Sequence, residues 1–278
     1  MAEHADEWRI EAVDLDGYLE RIGHPAVPGP SAAVLRSLHE AHVQAIPFEN
    51  IDVVLRQHPG IELDTIHDKL VRRRRGGYCF EHALLFAAVL ERLGFDVERR
   101  MARVQPQGSG YRTHMVLRVR VDGVDHLADV GFGAGVLSPM PFEDGAVVDQ
   151  AGWPHRLVRN GPLWNLERWG DEGWEVLHAS DEQPQRFADY EVAHHYVATH
   201  PHSPFFSKPV VFRLAPGVSR KLVGGQLTVA RPSGVPEVAE VAPERLAEVL
   251  AGLDVVLPEG ELDRLRELLG TSRKESLT

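Results

Sequence analysis

Apolar residues in the first third of the chain recur every three or four positions, a spacing typical of helices packed on one face. Each stripe begins after a capping residue or ends at a residue that stops a helix. The four predicted helices are residues 15–22 before Gly23, 32–46 after the cap Ser31, 65–75 after the cap Asp64, and 79–93 before Gly94. The sequence therefore predicts a helical bundle over residues 1–93.

From residue 95 to about residue 179, apolar positions alternate with polar ones, as in half-buried strands. Turn signals at Asp122-Gly123, at Asn160-Gly161 and at residues 171–173 divide this region into an antiparallel meander or small barrel. Residues 180–205 are polar, aromatic and rich in histidine, and they predict a connector. The remaining elements are short strands followed by helices, predicted at 210–214, 221–223, 227–230, 238–241, 243–251 and 259–269.

Composition limits the possible partners and the compartment. The chain has 278 residues and a formal net charge of −11, which argues against general binding of nucleic acid. No apolar run approaches the ~20 residues that span a membrane. The first residues are acidic and lack the apolar segment of a signal peptide. Together with a single cysteine, these features predict a cytoplasmic protein that binds neither nucleic acid nor membrane.

Cys79 is the only cysteine of the chain, so it cannot form an intramolecular disulfide. A free cysteine is most often a small buried apolar residue. Here it begins the fourth predicted helix, where unpaired backbone N–H groups and the helix dipole stabilise an anion. Four arginines at residues 72–75 add positive charge just before it. The sequence therefore predicts a nucleophilic thiolate at this position.

A base and an orienting carboxylate follow on a predicted β-hairpin. The dipeptide Asp122-Gly123 favours a two-residue turn that sets the register of the strands on either side. In that register His114 and Asp129 share one face as diagonal neighbours, with Cα atoms roughly 7–8 Å apart. Gly131 lies opposite His114 and leaves room for its ring. The other face of the hairpin is apolar and is predicted to pack in the core.

Cys79, His114 and Asp129 thus supply the three functions of a catalytic triad: nucleophile, base and orienting acid. The chain holds 15 histidines, and a single histidine on a strand is usually a satisfied or exposed side chain. The coincidence of all three residue types favours the triad. These residues alone leave open a cysteine peptidase, a transglutaminase-like enzyme, an acyltransferase and a non-catalytic binding domain.

Four short motifs resemble those of the arylamine N-acetyltransferases. They are I-P-F-E-N at 46–50, R-G-G-Y-C-F-E at 75–81, T-H-M-V-L at 113–117 and D-V-G-F-G at 129–133. Their order, the gaps between the triad candidates and the total length all match that family. The chain departs from it at Ala83, where relatives often carry asparagine, so any hydrogen bond made by that amide is absent here.

The resemblance implies that an acetyl group passes from acetyl-CoA to aromatic amines and hydrazines through a thioester on Cys79, without a metal. It implies an α+β fold with a papain-like Cys-His-Asp core. Its three parts are a helical bundle with the nucleophile (1–93), an antiparallel β-barrel with the histidine and aspartate (94–187), and a connector with an α/β lid (188–278). An amide synthase that takes its acyl group from a carrier is a close relative and stays open.

The resemblance also implies roles for residues outside the triad. They are Phe48, Phe132, Phe205 and Phe206 in the cleft for acyl and amine groups; Thr113, Gly131 and Gly133 near coenzyme A; and Arg75 in an ion pair with Glu49. The histidines at 194, 195, 200 and 202 would suit a metal only with further ligands. The first two are predicted to point to opposite sides of a strand, and no carboxylate or second thiol stands at ligand spacing. No metal site is therefore predicted.

Overall fold

The computed structural model describes residues 7–107, 110–133 and 135–275, which form a mixed fold of helices and antiparallel sheets. Its helices are α1 (Leu15–Ile22), α2 (Ala32–Ala45), α3 (Ile51–Val54), α4 (Leu63–His67), α5 (Cys79–Arg92), α6 (Phe187–Thr199), α7 (Leu246–Ala251) and α8 (Glu259–Glu275). A π-helical turn, Asp68–Arg72, follows α4 directly, and 3-10 turns lie at Ile10–Ala12 and Pro243–Arg245. None of the helices in the described ranges combines the length and the apolar character that a membrane span requires.

The strands of the described residues form two antiparallel sheets. The larger sheet has the order β5-β4-β3-β2-β9-β8-β7-β6, and its first strand approaches β7, so that it curls into a nearly closed barrel. Its strands are β2 (Asp96–Val104), β3 (Arg112–Val121), β4 (Val124–Ala128), β5 (Met140–Pro141), β6 (Val147–Gln150), β7 (Trp153–Asn160), β8 (Leu163–Gly170) and β9 (Gly173–Ser180). The smaller sheet joins β1 (Phe48–Glu49), β10 (Val210–Ala215), β11 (Val218–Val223), β12 (Gln226–Ala230) and β13 (Glu237–Glu240).

The helix α5, which begins at Cys79, lies in the centre of the molecule. Every residue from Cys79 to Leu90 is buried, and the helix packs against β2 and β3 of the barrel. Its side chains join the apolar residues of α1 and α2 in one core, while a second core lies under α7 and α8 and a third fills the barrel. The first residue of α5, Cys79, is therefore buried on the side of the helix start that lies near the barrel strands.

The predicted helix starts are right at two positions and wrong at one. Ser31 caps α2, because its hydroxyl accepts a hydrogen bond from the N–H of Val34 at 3.2 Å. The helix α5 begins at Cys79 as predicted. Asp64 was expected to cap a helix, but α4 begins one residue earlier, after an extended Glu62. Asp64 instead stands inside the first turn, where its charge favours the helix dipole.

The predicted connector at residues 180–205 is wrong over half of its length, which forms the helix α6. Tyr190, Ala193 and Val197 stand three and four residues apart and are buried on one face of this helix. The histidines at 194 and 195 therefore lie on a helix rather than on a strand. The proposed division into three parts at residues 93 and 187 stays a prediction.

The hairpin has the predicted register over all the residues that pair between β3 and β4. Val121 pairs with Val124, and the ladder continues to Leu117 and Ala128. It ends there, so the expected pairing of His114 with Gly131 does not occur. His114 pairs only on the other edge of β3, with Ala102 of β2. The chain after Ala128 turns away from the sheet.

Candidate active site

Cys79 is the first residue of α5, and only 4% of it is exposed. Glu81, in the first turn of the same helix, accepts a hydrogen bond from the N–H of Tyr78 at 3.0 Å and so caps the start of the helix. The Sγ atom lies 3.8 Å from the carbonyl oxygen of Thr113, the residue before His114 on β3. The helix start therefore brings the thiol against the strand that carries the predicted base.

His114 and Asp129 form a buried pair beside this thiol. The Nε2–H of His114 donates to Oδ2 of Asp129 at 2.8 Å, and both side chains are at most 3% exposed. Burial alone lowers the pKa of His114. The carboxylate of Asp129 and hydrogen bonds to Asp129 and Cys79 outweigh it and raise that pKa to about 10. The charged imidazole is therefore favoured at neutral pH.

Asp129 is held by two further histidines that the sequence analysis did not single out. His178 of β9 donates from Nε2 to the same Oδ2 atom at 3.0 Å. The backbone N–H of Asp129 donates to Nε2 of His39, a residue of α2. Burial raises the pKa of this carboxyl, but the charges and hydrogen bonds of His114 and His178 hold it well below its usual range. Asp129 is thus a fixed, ionised acceptor.

His114, Asp129 and His178 each offer one metal-binding atom, and these atoms lie within 4.8 Å of one another. Both histidines already engage Nε2 in hydrogen bonds to the carboxylate. A metal would have to replace these bonds. The two histidines are therefore arranged as hydrogen-bond donors to the carboxylate of Asp129.

Gly131 and Gly133 allow close backbone approaches at the site. A Cβ atom at Gly131 would lie 2.7 Å from the carbonyl oxygen of Cys79, so only glycine lets the D-V-G-F-G turn pack on the backbone of Cys79. At Gly133, φ is +71°, and a Cβ atom would lie 3.1 Å from the rings of Phe48 and Phe212. The space expected beside the His114 ring is thus used for contact with Cys79.

The four predicted cleft phenylalanines lie in three places. Phe132 contacts the rings of His114 and His178, each at 5.1 Å between centroids. Phe48 contacts Phe205, with ring centroids 5.9 Å apart. Phe48 also lines a cavity of about 20 Å³ with Gly133 and Phe212, which is room for about one water.

Phe206 stands apart from these aromatic residues. The guanidinium carbon of Arg56 lies 3.2 Å from the centroid of its ring. Both residues line a different cleft of about 280 Å³, together with His58, His194 and His195. The structure therefore does not bring Phe206 together with Phe48 and Phe205.

A buried ionic network lies below the first turn of α5. The predicted ion pair of Arg75 with Glu49 is present, with Nη2 2.9 Å from Oε1. Lys69, which the sequence analysis overlooked, donates to Oε1 of Glu81 at 2.9 Å and lies 2.8 Å from Oδ2 of Asp52. Lys69 therefore neutralises the carboxylate of Glu81 in the first turn of α5.

Stability should depend on pH through the buried histidines. Burial lowers the pKa of His39, His82, His155 and His194 from 6.5 to about 4. Between these values the unfolded chain binds more protons than the folded one, so stability falls as the pH decreases from 6.5 towards 4. His114 acts in the opposite sense: its stabilisation is complete below pH 6.5 and is lost as the pH rises through about 10.

Urea unfolding at pH values from 4.5 to 9.5 tests this prediction. The free energy of unfolding should decrease on the acid side with a slope of more than one proton per molecule. An unfolding free energy that stays constant from pH 7 to pH 5 would contradict the neutral state of the buried histidines.

Comparison with known proteins identifies the family of this chain. A family model described as N-acetyltransferase matches residues 31–255. An arylamine N-acetyltransferase of Mycolicibacterium smegmatis is 40% identical over 235 residues, which are 81% of this chain and 85% of the relative. The chain belongs to the arylamine N-acetyltransferase family. It is an acyltransferase of that type.

Solved structures of this family have the same fold. The arylamine N-acetyltransferase of Nocardia farcinica superposes with a TM-score of 0.88 at 39% identity, covering 94% of this chain and 95% of that one. The Mycobacterium marinum arylamine N-acetyltransferase in complex with CoA superposes with a TM-score of 0.85 at 32% identity, covering 91% and 98%. The similarity therefore extends over nearly the whole of both chains.

Proposed function

We propose that this acyltransferase moves an acetyl group from acetyl-CoA to aromatic amines and hydrazines through a thioester on Cys79. The observation that carries the proposal is the placement of His114 between Cys79 and Asp129. Nε2 of His114 is bound to the carboxylate, so the hydrogen bond to Cys79 uses the other ring nitrogen. The names of the relatives and the CoA complex of the Mycobacterium marinum protein support the donor and the acceptor class.

The first half of the reaction loads the enzyme. The Cys79 thiolate, paired with the His114 imidazolium, attacks the carbonyl carbon of acetyl-CoA and forms a new carbon–sulfur bond. Backbone N–H groups in the first turn of α5, including that of Cys79, stabilise the oxyanion. The bond to the CoA sulfur breaks, and the CoA thiolate takes the proton from His114. The acetyl group then rests on Cys79.

The second half of the reaction transfers the group. The amine nitrogen attacks the thioester carbon, and neutral His114 accepts the proton that this nitrogen loses. The Cys79 thiolate leaves and is again paired with a charged imidazole. Asp129 keeps the ring oriented and stabilises its charge in both half-reactions. Aromatic amines suit this step because they are weak bases that remain unprotonated, and therefore nucleophilic, at neutral pH.

Residues around the triad receive proposed roles from their positions. Phe132 lies on the rings of the triad histidine and His178, where it shields the thioester from water. Phe48 and Phe205 form the aromatic wall for the acceptor. Phe206 lies with Arg56 in the separate cleft, so we leave it out of this wall.

Three backbone positions are proposed to lie beside bound coenzyme A. Gly131 and Gly133 bring the chain close to Cys79 and Phe48, and the carbonyl oxygen of Thr113 lies beside the thiol. We propose that the acyl end of the pantetheine arm passes over these residues to reach the sulfur. The same proposal holds that the helix-borne cysteine and the barrel-borne histidine and aspartate form a papain-like core.

Mass spectrometry after incubation with acetyl-CoA tests the proposed function. One acetyl group should appear on the peptide that contains Cys79, and a Cys79→Ala variant should remain unmodified. Without an amine, CoA release should stop at about one equivalent per active site. Initial rates at several arylamine concentrations should give parallel reciprocal plots, because CoA leaves before the amine binds. Intersecting plots would indicate direct transfer in a ternary complex.

The same measurements separate the alternatives. An amide synthase would show no CoA release from acetyl-CoA and would become active only with a carrier-bound acyl chain. A cysteine hydrolase would cleave an amide donor and would turn over in water without an amine acceptor. Either result would contradict the acetyltransferase mechanism proposed for Cys79.

A further inference from the structure

Three buried polar side chains form a continuous hydrogen-bonded chain behind the nucleophile. The hydroxyl of Tyr18 lies 2.8 Å from Nδ1 of His42, and Nε2 of His42 lies 2.8 Å from Nδ1 of His82. Nε2 of His82 lies 3.0 Å from the carbonyl oxygen of Gly77 and 3.2 Å from that of Pro47. All three side chains are at most 1% exposed. The chain thus runs from α1 to the loop before Cys79.

The partners determine where each proton lies. Nε2 of His82 faces two carbonyl oxygens, which can only accept, so it carries the proton of that ring. Its Nδ1 must then accept from the Nε2–H of His42. Nδ1 of His42 in turn accepts from the hydroxyl of Tyr18. Both imidazoles are neutral in this arrangement. A second proton on His82 would place two N–H groups against each other, and a second proton on His42 would require the Tyr18 hydroxyl to accept instead of donate.

The chain ends on the backbone that leads into the nucleophile. The N–H of Glu49 donates to the carbonyl oxygen of Gly77 at 2.7 Å, and the N–H of Gly77 donates to that of Pro47 at 3.3 Å. The imidazole of His82 also stacks on the ring of Phe48, with centroids 6.3 Å apart and planes 8° from parallel. His82 therefore binds the two segments that carry Cys79 and the proposed aromatic wall.

We propose that Tyr18, His42 and His82 are positioning residues that hold the start of the nucleophile helix and the Phe48 ring in place for acyl transfer, and that they do so only while both histidines are neutral. This inference rests on the proposed function, because the geometry that it describes is that of the acetyl-enzyme reaction. None of the three residues touches the reacting atoms; each acts through the backbone at Gly77 or through Phe48.

The surroundings of the chain keep it neutral. Burial is the main cause that lowers the pKa of His42, and the positive charge of Arg21 and the neighbouring His39 act in the same direction. Burial also lowers the pKa of His82 to about 4, aided by Lys69 and opposed by the carboxylate of Glu81. The remaining ring against His42 is that of Phe86, which carries no charge.

The Tyr18→Phe variant tests the inference with the smallest change. It removes only the hydroxyl, so Nδ1 of His42 loses the partner that donates to the neutral ring and that could accept from a charged one. The protonation equilibrium of the chain changes, so the acid limb of the pH profile for acetyl-enzyme formation should shift by roughly one unit. At pH 8 the rate constant should fall by no more than about fivefold, the effect of one lost hydrogen bond.

Tyr190→Phe is the matched control. Tyr190 is also fully buried, and its hydroxyl donates to the carbonyl oxygen of Arg100 at 3.1 Å, away from the chain. Both variants should lose similar stability, but only Tyr18→Phe should shift the acid limb. An acid limb for Tyr18→Phe that coincides with those of the wild type and of Tyr190→Phe would overturn the inference, even with normal acetylation by the wild type.

Variants of His82 provide a second test that does not depend on Tyr18. His82→Gln retains an N–H donor for the carbonyls, whereas His82→Phe retains only the stacking on Phe48. We expect acetyl-enzyme formation in the glutamine variant to exceed that in the phenylalanine variant at least fivefold. Equal rates would overturn the role of the donor. Failure of the wild type itself to form an acetyl-enzyme would remove the proposed function and this inference together.

Nitrogen NMR of the imidazole rings gives a readout without activity. The wild type should show His42 and His82 as neutral rings protonated at Nε2 across pH 6–8. In Tyr18→Phe the pH at which at least one of these rings becomes charged should differ from that in the wild type. Rings protonated at Nδ1 in the wild type would contradict the direction of the chain.

Discussion

We expect the Asp129→Asn variant to fold normally and to form the acetyl-enzyme about 10⁴-fold more slowly than the wild type, by analogy with the same change in serine-protease triads. Oδ2 of Asp129 accepts hydrogen bonds from both His114 and His178. An asparagine that turns its N–H₂ group to this position would oppose two N–H donors. If it turns its oxygen there instead, the full negative charge that favours the His114 imidazolium is still lost.

A single-turnover measurement of CoA release separates this effect from binding. The rate constant at saturating acetyl-CoA should fall, and its dependence on pH should lose the ionisation of the thiolate–imidazolium pair. Asp125→Asn is a suitable control, because Asp125 lies on the same hairpin and pairs at the surface with Arg118 and Arg120. Its rate constant should stay within a few-fold of the wild type. A folded Asp129→Asn protein with unchanged CoA release would remove Asp129 from the mechanism.

The pairing of His114 with Asp129 was predictable from sequence because one short turn determines it. A two-residue turn at Asp122-Gly123 leaves no freedom in the register, and a β-strand places alternate residues on one face. Both turn residues have positive φ, 53° and 80°, as the predicted turn type requires. The contact of the two side chains follows from these local facts, although the ladder ends before it reaches Asp129.

His178 and His39 could not be assigned in the same way. His178 reaches Asp129 from β9, 49 residues further along the chain, and His39 reaches it from α2. No short turn links these elements, so no register argument connects them. In the sequence, no local pattern distinguishes these two residues from the other histidines among the 15 of the chain. Their roles depend on how the barrel closes and how α2 packs against it.

The sequence of α6 does contain a helical pattern of apolar residues, although polar residues surround it. Tyr190, Ala193 and Val197 have helical spacing, and the structure buries all three. The polar and histidine-rich residues around them favoured a connector. A narrow apolar stripe is sufficient here because the helix covers the core only on one side, against residues such as Trp8 and Phe80.

Among the variants proposed for this protein, the one that removes the buried cation of Lys69 should lose the most stability. We expect Lys69→Met to lower the free energy of unfolding by about 3–5 kcal/mol. Nζ of Lys69 lies 2.9 Å from Glu81 and 2.8 Å from Asp52, and neither carboxylate is more than 8% exposed. Methionine fills most of the same volume, so the loss arises from carboxylates left without their cation. A neighbouring arginine, Arg75, lies 3.6 Å from Asp52 and compensates only in part.

The pH dependence of this loss identifies its cause. Burial raises the pKa of Glu81, but the charges of Lys69 and His58 and their hydrogen bonds hold it well below its usual range. In the wild type this carboxylate stabilises the fold above its unfolded pKa, and the stabilisation is lost as the pH falls. Without Lys69, Glu81 takes up a proton at higher pH. The difference between the two proteins should therefore be largest at neutral pH and should narrow below about pH 5.

Urea unfolding of three variants tests this account. Lys69→Met combined with Glu81→Gln should recover part of the lost stability, because the amide removes the buried charge and can still accept from the N–H of Tyr78. Arg168→Met is the control for loss of an exposed partner. Its ion pair with Glu175 is more than one-third exposed, and the change should cost no more than about 1 kcal/mol. If Lys69→Met also lost only about 1 kcal/mol, its buried ion pairs would contribute no more than those at the surface. The start of α5 would then owe its position to packing and to the bonds around Gly77.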